Sequence, residues 1–161
     1  MIESIIIMTI SLILESIINL YISSNSYFVP LFSLLSLIFV YKILKHNKKE
    51  FLIASIIFGI VYDIVFTNFY TLNGILFLIS SLIIYFCFNK FKYNLLNTLI
   101  ISVILILTYN ISLFLIFNLL NYYNYNFDNL IFILKHFFVS NIIYILFVYL
   151  IINKTKLKNI F

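Results

Sequence analysis

Long apolar runs, separated by short polar segments, follow one another along the whole chain. Six runs have or nearly have the length of membrane-crossing helices, and they cover about residues 4–22, 28–44, 51–66, 71–88, 95–120 and 130–152. A helix needs about 20 apolar residues to cross the hydrocarbon core of a bilayer, with a range of roughly 17 to 25. The pattern therefore predicts an all-α, polytopic membrane bundle of six transmembrane helices, which forms a single domain over residues 1–161.

Composition supports this interpretation. Hydrophobic residues make up 65% of the chain and charged residues only 9%, and the mean hydropathy is +1.18. A water-soluble domain needs a polar shell, and this chain has too few polar residues to build one. The single cysteine, Cys87, excludes an internal disulfide.

The positive charge of the chain is confined to a few short segments. Nine of the ten lysines lie after the second apolar run, between the fourth and fifth runs, or in the tail: Lys42, Lys45, Lys48, Lys49, Lys90, Lys92, Lys154, Lys156 and Lys158. The positive-inside rule then places both termini in the cytoplasm. The clusters could also attract anionic lipid headgroups, but their placement favours a role as topology determinants. A nucleic-acid partner is not expected.

Three polar side chains interrupt the apolar runs at similar predicted depths: Glu15, Asp63 and Asn141. Ionisable groups inside a bilayer are costly and are functional candidates by default. For the two acids, the alternatives are hydrogen bonding between helices of this chain, a substrate site, an ion relay, or contact with a membrane helix of a partner. The pattern predicts a polar layer, and it leaves these alternatives open.

The spacing of small and polar residues indicates which helix faces are buried. Ser55, Gly59, Asp63 and Thr67 recur every four residues, so they are predicted to share one face of the third helix. Ser55 and Gly59 form a small-xxx-small pair, which allows another helix to approach closely. The same spacing recurs in the first run, at Ser11, Glu15 and Asn19.

No signature of catalysis, cofactor binding or metal binding is found. The chain has only two glycines, which is too few for a phosphate-binding loop. Its two histidines, His46 and His136, fall on opposite sides of the predicted membrane, so they cannot share a metal site. The sequence therefore predicts no catalytic, cofactor-binding or metal-binding residues, and the protein is not expected to be an enzyme.

The segment FGIVYDIVFTN, residues 58–68, resembles the signature of the MreD family of rod-shape-determining membrane proteins. That signature has a glycine followed four residues later by aspartate, in the form G-[LI]-x-[YQ]-D-[IL]. The Firmicute form of the family extends it with an aromatic residue, threonine and asparagine. The matching positions here are Gly59, Tyr62, Asp63, Ile64, Phe66, Thr67 and Asn68.

Other segments resemble the same family in the same order along the chain. ILES resembles part of the first helix and places Glu15, and VPLFSLLSLIF resembles the second helix, with Pro30 near its start. LNGILFL resembles the fourth helix at Gly74, and SNIIYILFVYLI resembles the last helix at Asn141. The chain departs from the family at Phe69–Tyr70, where a short Leu-Gly turn is common, and in its shortage of small residues.

The resemblance implies a non-catalytic scaffold in the bacterial cytoplasmic membrane. MreD-like proteins pair with MreC and act, more indirectly, with the MreB filament, a SEDS glycosyltransferase and a penicillin-binding transpeptidase. This elongasome supports lateral peptidoglycan synthesis and rod cell shape. The resemblance also implies a fold like that of the substrate-binding subunits of energy-coupling-factor transporters. The residues expected to serve in packing or partner contact are Glu15, Ser55, Gly59, Tyr62, Asp63, Thr67, Asn68, Gly74 and Asn141.

The alternative function is that of a vitamin-binding membrane subunit of an energy-coupling-factor transporter. Such subunits usually carry an A-x-x-x-A motif in the first helix, which docks the transporter core. The first apolar run of this chain contains no alanine, and this absence favours the scaffold.

Overall fold

The computed structural model describes residues 2–21, 30–45, 47–67, 71–120, 131 and 140–152. Within these ranges the regular structure is entirely helical. The helices are α1 (Ile2–Tyr21), α2 (Phe32–Ile43), α3 (Lys48–Phe66), α4 (Leu72–Lys90), α5 (Leu95–Leu119) and α6 (Ser140–Ile152). The prediction of an all-α protein is confirmed for this part of the chain.

Three of the helices, α1, α4 and α5, are long and apolar enough to cross a membrane. Large apolar side chains such as Ile64, Phe86 and Leu115 stay exposed on the outside of the helices. An extensive apolar exterior is unfavourable in water and is typical of a surface that contacts lipid. Together these features indicate a membrane protein.

The short helix α2 lies at the centre of the structure. Every residue from Phe32 to Tyr41 is buried, and α2 contacts α1, α3, α4 and α5. It also meets α6, where the rings of Phe32 and Tyr144 stack with their centroids 4.4 Å apart. A helix that is apolar on all sides is typical of a buried element, and α2 is the element around which the others pack.

The helix α2 begins later than the apolar pattern predicts. The second run was predicted to be helical from residue 28, but Pro30 and Leu31 lie outside the helix, which begins at Phe32. At 1.5 Å per residue its 12 residues span about 18 Å, which is less than the hydrocarbon core of about 30 Å. Hydrophobicity alone could not reveal this start, because the residues before it are also apolar.

The helices α3 and α4 form the most closely packed pair. A Cβ atom added to Gly59 would lie 2.5 Å from the backbone oxygen of Asn73 and 2.6 Å from the Cα atom of Gly74. Four residues earlier in α3, the Ser55 hydroxyl lies 3.1 Å from that of Ser81 in α4. Small residues therefore allow the two backbones to touch, as the small-xxx-small spacing in α3 predicts.

Two members of the predicted polar stripes lie elsewhere. Thr67 is not on the helical face of α3, because the helix ends at Phe66 and Thr67 has an extended backbone. Asn19 of α1 is exposed, whereas Ile18 packs against the core. Residues four apart on an α-helix drift by about 40° per step, so the buried stripe that contains Ser11 and Glu15 continues through Ile18.

Candidate functional site

Glu15 links three helices from a fully buried position on α1. Its Oε2 atom accepts a hydrogen bond from the backbone N–H of Ser33 at 2.8 Å. Its Oε1 atom accepts one from the Tyr62 hydroxyl, also at 2.8 Å. Ser33 belongs to the first turn of α2 and Tyr62 to α3. Both oxygens of Glu15 are therefore engaged within the chain.

The start of α2 receives a second partner, from α6. The side-chain oxygen of Asn141 accepts a hydrogen bond from the backbone N–H of Leu31 at 2.8 Å. The first N–H groups of an α-helix have no partner within the helix, and lipid cannot supply one. The side chains of Glu15 and Asn141 supply acceptors for the buried start of α2.

Asp63 does the same for α4. Its Oδ2 atom accepts from the backbone N–H of Asn73 at 2.8 Å, and its Oδ1 atom accepts from the Asn73 side-chain amide at 2.7 Å. Oδ1 also accepts from the Thr67 hydroxyl at 2.7 Å. Asn73 is the second residue of α4, so Asp63 lies where a helix N-terminus favours a negatively charged or hydrogen-bond-accepting group.

Two tyrosine hydroxyls tie the remaining helices to this layer. The Tyr109 hydroxyl of α5 donates to the side-chain oxygen of Asn73 at 2.7 Å. The Tyr144 hydroxyl of α6 lies 2.6 Å from the Ser11 hydroxyl of α1. All six helices thus contribute at least one hydrogen-bonding group, and α2 does so through the backbone N–H of Ser33. We call the side chains of this network the buried polar layer. Its side chains are Ser11, Glu15, Tyr62, Asp63, Thr67, Asn73, Tyr109, Asn141 and Tyr144.

The two acids of the buried polar layer are hydrogen-bonded within the chain. Both oxygens of each acid accept from groups of the same chain, and two of those donors are backbone N–H groups of helix starts. Within the described ranges, no three side chains among His, Cys, Asp and Glu come together as a metal site would require.

The structure brings most of the residues singled out from the sequence to contacts between helices. Glu15, Tyr62, Asp63 and Asn141 belong to the buried polar layer, as does Thr67 through its bond to Asp63. The contact between α3 and α4 contains Ser55, Gly59 and Gly74. Asn68 lies outside the described residues, as do His46 and His136.

Sequence reasoning missed four residues of this site: Leu31, Ser33, Asn73 and Tyr109. Ser33 contributes its backbone N–H to Glu15, a group that every residue except proline possesses, so no side-chain pattern could reveal it. Asn73 directly precedes Gly74 in the LNG segment, and a polar residue at the start of an apolar run was the available signal. Tyr109 was hidden by the abundance of tyrosine, of which the chain has 13.

No protein-family model, curated protein or solved structure matches this chain. The functional conclusion therefore rests on the residues and their geometry.

Proposed function

We propose that this protein is a non-catalytic scaffold of the MreD type. In this proposal it crosses the bacterial cytoplasmic membrane six times with both termini in the cytoplasm. It pairs with MreC and so supports lateral peptidoglycan synthesis by the elongation complex. The observation that carries the proposal is the contact made by the family-like motif, in which Gly59 and Asp63 both meet Asn73 of α4.

The two motif residues act on one contact. Gly59 leaves room for the backbone of Asn73 and Gly74, and Asp63 accepts both hydrogen bonds that Asn73 donates. A glycine and an aspartate four residues apart are thus explained by a single interhelical joint. Their purpose in this chain is to fix the geometry of α3 against α4, and a fixed geometry is what a scaffold presents to its partners.

The engagement of the two buried acids favours a scaffold over an enzyme or an ion relay. Glu15 and Asp63 accept hydrogen bonds from helix starts and from neighbouring side chains of the same chain. Freeing either acid for a substrate would leave backbone N–H groups without partners in an apolar interior, at a cost of about 1–3 kcal/mol for each group.

The positions of the lysines support the proposed orientation. Lys42 and Lys45, near the end of α2, line the same cavity as Lys90 and Lys92, which lie at and just after the end of α4. Two of the segments predicted to be cytoplasmic therefore meet at one end of the bundle. This agreement is what the positive-inside rule requires of a consistent topology.

Co-purification with MreC tests the proposal. The chain is expressed with tagged MreC in cells of a rod-shaped bacterium that are depleted of their own MreD. The amount of MreC that co-purifies with the chain is divided by the amount of chain in the membrane. We expect the wild-type chain to recover MreC and to restore rod shape. Asp63→Ala should reduce both the recovery of MreC and the rod shape, because Asn73 of α4 loses its two hydrogen bonds to Asp63. Glu50→Ala, which removes an exposed acid from the same helix as Asp63, should reduce neither.

Two results would contradict the scaffold. One is a wild-type chain that reaches the membrane at normal abundance but recovers no MreC and leaves the cells round. The other is tight binding of a vitamin by the purified chain, which would favour a transporter subunit instead.

A further inference from the structure

A second polar feature lies at the lysine-bearing end of the bundle, away from the buried polar layer. It is a half-open cavity of about 300 Å³ between the end of α2 and the connection from α4 to α5. We call it the basic cavity. The residues that line it are Tyr41, Lys42, Lys45, Phe88, Asn89, Lys90, Phe91, Lys92 and Tyr93.

The charge of the basic cavity has one sign. Four of its nine lining residues are lysines, and none of the described residues that line it is acidic. Ammonium groups gathered around one small volume repel one another, by about 1 kcal/mol per pair at 4 Å in bulk water and more near a protein surface. An anion in the cavity would turn this repulsion into attraction.

One lysine of the basic cavity packs against an aromatic ring. The Nζ atom of Lys42 lies 4.5 Å from the ring centroid of Tyr93, within the range of a cation–π contact. The Tyr93 ring in turn packs against that of Phe88, with centroids 5.2 Å apart. Burial raises the pKa of the Tyr93 hydroxyl above its ordinary value, so this phenol is neutral beside the lysine.

The position of the basic cavity matches the depth of lipid headgroups. The helix α4 is long and apolar enough to cross a membrane, and it ends at Lys90. The connection from Phe91 to Asn94 therefore falls where the apolar helix leaves the hydrocarbon. Phe91, on the rim of the cavity, is more than half exposed, which provides an apolar surface beside the charged site. A ligand with a phosphate and an attached acyl chain fits both features.

We propose that the basic cavity binds the phosphate of an anionic membrane lipid. The cavity adds a defined binding site to the diffuse attraction that any cluster of lysines exerts on a negatively charged membrane surface. This inference does not depend on the scaffold proposal, because it uses neither the motif residues nor the buried polar layer.

Native mass spectrometry of the full chain in detergent tests the site. The probes are phosphatidylglycerol and cardiolipin, with zwitterionic phosphatidylcholine as the neutral lipid and inorganic phosphate as the free anion. We expect the wild-type chain to retain the two anionic lipids in preference to phosphatidylcholine. Raising the salt concentration should weaken this retention, because the contact is ionic.

Two double variants locate the site. Lys90→Gln with Lys92→Gln removes two charges that line the basic cavity. Lys48→Gln with Lys49→Gln removes two lysines that do not line it. A lysine near an anionic lipid surface contributes about 1 kcal/mol of binding free energy, so the loss of two lysines should weaken binding about 30-fold. We expect that loss for the first pair and little change for the second, while Lys90→Arg with Lys92→Arg keeps the affinity.

Several results would overturn the proposal. Equal losses in the two glutamine pairs would mean diffuse surface charge instead of a site. Equal retention of anionic and zwitterionic lipids by the wild-type chain would exclude an anion site, and this measurement needs no variant to fold. Inorganic phosphate that binds as tightly as the anionic lipids would assign the cavity to a free anion instead. Circular dichroism checks that each variant keeps its helical content.

Discussion

Asp63 holds Asn73 by two hydrogen bonds, one from the backbone N–H at 2.8 Å and one from the side-chain amide at 2.7 Å. The first bond depends on the start of α4, and the second depends only on the identity of residue 73. A substitution at position 73 therefore separates the contribution of the side chain from that of the helix start.

Asn73→Ala is expected to destabilise the protein without unfolding α4. It removes the amide bond to Asp63 and leaves the Tyr109 hydroxyl without its acceptor, but it keeps the backbone N–H that Asp63 also holds. We expect the free energy of unfolding to fall by about 1–3 kcal/mol, measured by SDS titration in mixed micelles with circular dichroism. Asn89→Ala, an exposed site on the same helix, should change it by less than about 0.5 kcal/mol.

Glu15→Ala is expected to be more damaging than the removal of any exposed acid. It leaves the Ser33 N–H and the Tyr62 hydroxyl without acceptors, and each buried donor without a partner costs about 1–3 kcal/mol. Glu3→Ala, which removes an exposed acid from the same helix, serves as the matched control. The thermal melting of the two variants in detergent, followed by circular dichroism, should differ clearly, and equal melting would show that the contacts of Glu15 contribute no stability.

Alanine at the two glycines should give graded effects. At position 59 the added methyl group would meet backbone atoms of Asn73 and Gly74 at 2.5–2.8 Å, whereas at position 74 it would meet a side-chain atom of Ile60 at 3.2 Å. A side chain can shift and a packed backbone cannot, so Gly59→Ala should cost more than Gly74→Ala. Overpacking typically costs about 1–3 kcal/mol, and membrane abundance with melting temperature would rank the two variants.

A double-mutant cycle measures the contact between α1 and α6. Tyr144→Phe removes the hydroxyl that lies 2.6 Å from the Ser11 hydroxyl but keeps the ring that stacks on Phe32. Combined with Ser11→Ala, it isolates the energy of the one hydrogen bond. Such bonds in membrane proteins average about 0.6 kcal/mol and reach about 1.7 kcal/mol. A coupling energy near zero would show that this bond does not hold α6 in place.

The apolar pattern predicted the long elements well because each is a continuous hydrophobic run. The helix α5, Leu95–Leu119, differs by one residue from the predicted range 95–120, and α4 differs by one or two residues at each end. The pattern was less accurate for α2, where the backbone N–H groups of Leu31 and Ser33 donate hydrogen bonds to Asn141 and Glu15. Tertiary contacts of that kind leave no periodic signal in the segment that they act upon.

The candidate site could be predicted only in part, because some of its hydrogen-bonding groups belong to the backbone. Glu15, Asp63 and Asn141 were visible because a polar side chain contrasts with an apolar run. The groups that they hold at Leu31 and Ser33 were invisible, because the chain uses the backbone N–H of these residues. A sequence therefore shows which acceptors are buried more readily than it shows which donors they serve.

The hydrogen bond between Leu31 and Asn141 has a consequence for biogenesis. Its two residues are 110 positions apart, and a ribosome adds about 5–20 residues per second, so the start of α2 waits roughly 5–20 s for this acceptor. During that interval the nascent chain holds a short helix with an incompletely satisfied end. A chain interrupted before residue 141 never gains this acceptor for the Leu31 N–H, so we expect it to be less stable in the membrane than the full chain.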